Sequence, residues 1–283
     1  MYDKILFIGN GFDLDLGFQT RYTDFIKSPY YPNDQSGLIA YIKEASKNNW
    51  IDLEIAIQEY MIKNYKASDF DYNKEHFFKI RDALRNYIRS CELANINENS
   101  VAYRFLRRIK KNTSLKIYSF NYTDVEGILK YCHKSQSGYD ITHIHGSLKD
   151  GYIVIGIDNK TRFDNSKYNF MKKSIQIKPS NLSNFQDIID NSNEIIFFGL
   201  SLGITDQEYF NNIFSRLSRT KVHKKITIFT YDGESEKNVK EQIDHMCNGK
   251  LLQLFIRNPP IFYKTSDPLD KDAIDKFLKE FYI

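Results

Sequence analysis

A short apolar run at the start of the chain, Ile5-Leu6-Phe7-Ile8, stops at Gly9-Asn10-Gly11. An apolar run closed by glycines reads as a buried strand that turns into a helix. In α/β proteins such a turn is where a phosphate sits, because the helix start presents backbone N–H groups. Gly9 and Gly11 carry no Cβ, so a pyrophosphate is able to lie against the main chain there. Gly17 falls too late to complete G-x-G-x-x-G, and the dehydrogenase fingerprint is absent. A lone G-x-G is also at home in an ordinary strand-to-helix turn, so the remainder of the chain decides.

Beyond this turn the pattern alternates. Trp50, Leu53, Ile57 and Met61 repeat at helical spacing, as do Phe77, Ile80, Leu84 and Ile88, and then Val101, Phe105 and Ile109. These stripes predict a helical insertion lobe over 37–111, set into a nucleotide-binding unit formed by 1–36 and 112–283. Strands are predicted over 115–120, 152–157, 194–198, 226–230 and 251–256, with another ending at 141–146. Thr123-x-x-Glu126, Ser183-x-x-Gln186 and Thr205-x-x-Glu208 read as capping boxes that open helices. Further helices are predicted near 239–246 and from about 271, while 158–180 reads as polar and irregular. Strands alternating with helices make this an α/β chain of Rossmann type: a mostly parallel sheet, helices on both faces, and a helical insertion after the first strand.

Composition narrows the function. The net charge of +4 is too mild to argue for a nucleic-acid or membrane partner, and the basic segments 107–111 and 221–225 read as solvated faces. No apolar run approaches the roughly 20 residues of a membrane span. The first apolar run is short and ends in glycines, so no cleavable leader is expected. Cys91, Cys132 and Cys247 are scattered and odd in number, which speaks against a disulfide framework or a zinc ribbon. The expected compartment is the cytoplasm.

Polar or glycine clusters follow directly after predicted strands: Gly9-Asn10-Gly11, Asn121-Tyr122-Thr123, His143-Ile144-His145-Gly146 and Gly199-Leu200-Ser201-Leu202-Gly203. In a parallel sheet these strand ends share one edge, the edge where doubly wound folds bind ligands. Each cluster alone has a plainer explanation. Asn121 fits a turn, His145 a hydrogen-bonded core position, Ser201 a local backbone bond, and Asp206 the positive start of a helix. Their coincidence on one edge is what favours a site. Glu54 sits beside the apolar stripe, either as a buried structural group or as a reach into the cleft. His143 and His145 alternate as metal ligands sometimes do, but no further His/Cys cluster accompanies them, so no metal is expected.

The order of these clusters carries a resemblance. Gly9-Asn10-Gly11-Phe12-Asp13, Gly17, Asn121, His145-Gly146-Ser147 and Gly199-Leu200-Ser201-Leu202 are similar to the NAD-site motifs of the sirtuin fold: G-A-G-x-S-x-x-x-G, a polar-Asn segment, H-G-S and G-T-S-L. The whole chain resembles more specifically the AbiH family of bacterial abortive-infection proteins. That match rests on I-G-N-G-F-D-L-x-x-G, on Trp50 to Glu54, on F-N-Y-T, on H-I-H-G and on S-L-G-x-x-D. The resemblance implies a sirtuin-like Rossmann domain, a role in antiphage defence, and NAD as substrate or ligand with no further cofactor. It gives Asn121 the positioning of a water and His145 a contact to ribose. The paired cysteines of the deacetylase zinc module are missing, which argues against protein deacetylation. Asn10 and Asp13 stand where the sirtuin pattern has alanine and serine.

The chemistry so implied is hydrolysis of NAD to nicotinamide and ADP-ribose through an oxocarbenium-like state. Asn121 orients a water without changing charge. His145 accepts from a ribose hydroxyl or takes the water's proton. Gly9, Asn10 and Gly11 hold phosphate, Asp13 faces the ribose, and Gly199, Ser201 and Asp232 serve the adenosine half. The alternatives are a nucleotide-sensing module without turnover and, behind it, a metal-dependent nuclease using His143 and His145. A phage component or partner protein as trigger, and assembly with further copies of the chain, are left open by the sequence.

Overall fold

Period-two alternation sorts the strand side chains onto opposite faces. A computed structural model describes residues 2–48, 52–91, 96–110, 114–134, 138–222 and 224–281. Its central sheet contains β1 (Lys4–Ile8), β2 (Leu115–Ser119), β3 (Asp140–His143), β4 (Glu194–Phe198), β5 (Lys225–Thr230) and β6 (Ile261–Lys264), in the spatial order 3-2-1-4-5-6. Every pairing is parallel. Ile5, Phe7, Ile195 and Phe197 face one side, and Leu6, Ile8, Ile196 and Phe198 the other. The first side is covered by Phe185–Asn191, Gln207–Arg219 and Gly233–Met246, the second by Val101–Leu106, Val125–His133 and Lys271–Glu280. With both faces covered, the central strands are near-continuous apolar runs, and the Rossmann-type fold class read from the sequence is what the chain adopts.

A third core lies apart from both sheet faces. Leu38, Ile42, Leu53, Ile57, Met61, Phe77, Ile80, Leu84 and Ile88 pack together there, joined by Tyr122, Ile153, Ile155, Ile157, Tyr168 and Met171. The stripe from Leu53 to Met61 lies on the helix Leu53–Asn64, while Trp50 and Lys111 fall outside the described residues. Residues 152–157 do not extend the main sheet. Tyr152–Ile153 pairs antiparallel with Gly146–Ser147 in a separate ribbon.

Several local expectations are corrected. The segment expected to be a strand over 251–256 is the helix Leu251–Arg257, and the last strand follows at Ile261–Lys264, beyond Pro259 and Pro260. A short apolar run has no period that tells strand from helix, and here the run packs on the helix Gln207–Arg219. The three capping boxes also shift by one residue. Asp124, Asn184 and Asp206 occupy the N-cap positions. Thr123 is drawn away because its hydroxyl donates to the Asp13 carboxylate at 3.0 Å.

Candidate functional site

In the order 3-2-1-4-5-6 the chain reverses direction across the sheet between β1 and β4, so their carboxyl ends flank the crevice where such sheets bind ligands. Here the turns after those strands touch. The Gly9 N–H donates to the Phe198 carbonyl at 3.0 Å, and the Gly11 N–H to the Gly199 carbonyl at 2.8 Å. A Cβ on Gly9 would lie 2.5 Å from the Leu200 Cα, and one on Gly199, whose φ is +63°, 2.2 Å from the Phe12 nitrogen. The glycines therefore let two turns pack main chain against main chain. This revises the phosphate role expected of Gly9 and Gly11, since both N–H groups are already used inside the chain.

Beside this contact opens a cavity of about 610 Å³. Gly9, Asn10, Gly11, Asp13, Asn121, His145, Gly199 and Ser201 all line it. Residues separated by up to 192 positions, Gly9 to Ser201, thus meet around one hollow. Asn121 is held by its amide, whose Nδ2 donates to the Gly9 carbonyl at 3.0 Å. Asn10 accepts from the Thr20 hydroxyl at 2.6 Å, and Asp13 is buried. Ser201 is exposed at the site. Asp232 is not among the lining residues. Its carboxylate caps the helix Gly233–Met246, accepting from the Ser235 N–H at 2.8 Å, and the Ser235 backbone and side-chain donors hold its pKa below the usual carboxylate range. His143 also stands apart from the lining, its Nδ1 3.3 Å from the Asn121 carbonyl. β3 ends at His143, so the strand alternation that would set the two histidines on one face stops there. Among the described residues, no group of three or more His, Cys, Asp or Glu is placed to hold a metal ion.

His145 is 4% exposed. Burial, aided by the nearby Lys173 charge, depresses its basicity to about 3, so the ring is neutral at physiological pH. The Phe120 backbone and the Asp206 charge favour the charged ring, but burial outweighs them. A neutral imidazole carries its proton on one nitrogen and a lone pair on the other. Nε2 has no hydrogen-bond partner among the described residues. Nε2 faces Asp206 Oδ1 at 3.5 Å. A buried ring nitrogen without a partner calls for a ligand group or a water.

Asp206 leads to the part of the site that sequence reasoning missed. Lys173 Nζ lies 3.0 Å from Asp206 Oδ1 and 2.6 Å from Glu54 Oε2, and its side chain is 2% exposed. Glu54 Oε1 accepts from the Gly156 N–H at 3.2 Å. Burial opposes the Asp206 charge, but the ammonium of Lys173 outweighs it and holds Asp206 below the usual carboxylate range. Glu54 goes the other way. Burial pushes it up to about 7, Lys173 pulls against that, and the Asp52 and Asp206 charges reinforce the rise. The pattern gave no sign of Lys173, which lies in the polar stretch 158–180. Asp206 reads in sequence as a helix-start acid, and it does occupy that N-cap.

The sequence model of the family described as Bacteriophage abortive infection AbiH matches residues 5–229. The chain belongs to the AbiH family. The matched span runs from β1 to β5 and takes in every cavity residue named above. No curated protein matches the chain. For this AbiH chain the family points to abortive infection, a defence against bacteriophage. No helix among its described residues is long and apolar enough to cross a membrane.

Proposed function

We propose that this AbiH protein acts in abortive infection by binding NAD in the strand-end cavity and hydrolysing its nicotinamide–ribose bond. The observation that carries the reading is the unpartnered Nε2 of a neutral, buried His145 inside a cavity that Asn121 also lines. Nε2 accepts from a ribose hydroxyl. Asn121, fixed through Nδ2, offers its side chain to orient the attacking water.

Charge supports NAD over a simple nucleotide. Asp13, Asp52, Glu54 and Asp206 line the cavity, against Lys173 and Arg21 as the lining cations. An acidic surround favours the cationic nicotinamide ribosyl group and the oxocarbenium-like state that follows it. Lys173 is buried and paired, whereas Arg21 is exposed, so the phosphates turn toward Arg21.

The test is nicotinamide release from NAD by the purified chain, alone and with extract of phage-infected cells. Release is expected. His145→Ala and Asn121→Ala are each expected to lower turnover by on the order of 10²- to 10⁴-fold while the protein remains folded by circular dichroism. Full turnover in either variant refutes that residue's role. Binding of NAD without release favours a sensing module, and neither binding nor release refutes the proposal.

A further inference from the structure

We propose that Glu54, supplied by the helical lobe, accepts the proton of the water that attacks the ribosyl carbon, and that Lys173 and Asp206 are its positioning residues; this rests on the NAD-cleavage reading above. Glu54 lines the same hollow as Asn121 and His145 and is fixed at both oxygens, by Lys173 at 2.6 Å and by the Gly156 N–H at 3.2 Å. One buried ammonium serves Glu54 and Asp206 together. The cluster is therefore one positive charge short, a deficit that a proton or a cationic ligand fills.

His145 and Glu54 divide the work. Held near 3, His145 is a hydrogen-bond acceptor at neutral pH and too weak a base to take a proton from water. Glu54, pushed up to about 7 by burial, is matched to that task. The groups that face it are Lys173, which favours its charge, and Asp52, Asp206, Tyr22, Tyr122 and Tyr209. In the step itself the water oxygen bonds to the ribosyl carbon as the carbon–nitrogen bond breaks. Nicotinamide leaves neutral with that bond's electron pair. The water's proton passes to the Glu54 carboxylate and then to solvent, so NAD and water yield nicotinamide, ADP-ribose and one proton.

The experiment measures nicotinamide release between pH 5.5 and 8.5 for the full chain, Glu54→Gln and Lys173→Arg, each with infected-cell extract, and a carboxyl infrared titration of the wild type minus Glu54→Gln. The wild-type rate is expected to rise about tenfold from pH 6 to pH 8 as the base form fills. Glu54→Gln is expected to be slower by on the order of 10²-fold with a flat profile, and Lys173→Arg to keep the rising one. The difference spectrum is expected to show one carboxyl titrating across the same span. Glu54→Gln with wild-type rate and profile, or no titrating carboxyl, overturns the assignment of Glu54 and leaves NAD cleavage standing. Absence of release from the wild type at every pH overturns NAD cleavage itself, and this step with it.

Discussion

Lys173→Met is expected to destabilise the protein by about 3 to 5 kcal/mol at pH 8, the cost of removing one partner from a buried ionic cluster. The variant keeps the side chain's length but leaves Glu54 and Asp206 buried together with no cation between them. Both carboxylates then have folded-state affinities for protons above their unfolded values. A group raised in this way stabilises the fold below its unfolded pKa and loses that contribution as pH rises through the folded one. The deficit relative to wild type is therefore largest at pH 8 and shrinks toward pH 5.5. The acid loss from His145, whose proton affinity is depressed on folding, has the opposite sign. It is shared by both proteins and largely cancels in the difference. Urea denaturation at the two pH values measures the effect. A second substitution, Glu54→Gln in the Lys173→Met background, is expected to return part of the loss. A Lys173→Met protein as stable as wild type at pH 8 contradicts the ionic account of this cluster.

Gly199→Ala is the other large effect. At φ +63° an L side chain is strained by roughly 1 to 2 kcal/mol, and its Cβ would lie 2.2 Å from the Phe12 nitrogen and 2.4 Å from the Gly11 carbonyl carbon. Neither neighbour is a flexible side-chain tip, so the β1 and β4 turns must separate, adding about 1 to 3 kcal/mol of overpacking. The melting temperature is expected to fall sharply. Gly151→Ala serves as a control: it also has positive φ, but nothing lies within 4 Å of its added Cβ, so only the backbone strain remains. Equal losses in the two variants would show that close approach at the crevice contributes nothing.

How far the chain could be read in advance follows from where its information lies. β1, β2 and β4 are buried on both faces, so their composition alone identifies them. Asn121 was legible for a related reason, as a polar residue just after such a strand at the strand-end edge, and His145 as one just beyond the end of the edge strand β3. The role of Gly199 was less so, because its requirement is a close approach to Gly11 and Phe12, far away in sequence. Lys173 was hidden. It opens a helix of only four residues, Lys173–Gln176, too short to show a period, and its partners lie 119 positions before it at Glu54 and 33 after it at Asp206. Asp206 was legible as a helix-start acid, a place it does occupy, but its pairing with a buried ammonium was not, because Lys173 lies far from it in sequence.

The most direct test of the account is a crystal structure of the full chain with ADP-ribose, the proposed product. The expected result is ligand density in the cavity beside the Gly9 and Gly199 turns, with a ribose hydroxyl within hydrogen-bonding distance of His145 Nε2 and the glycosidic carbon facing Asn121 and Glu54. Density for the ligand elsewhere on the protein, with this cavity empty or closed by its own side chains, would contradict it.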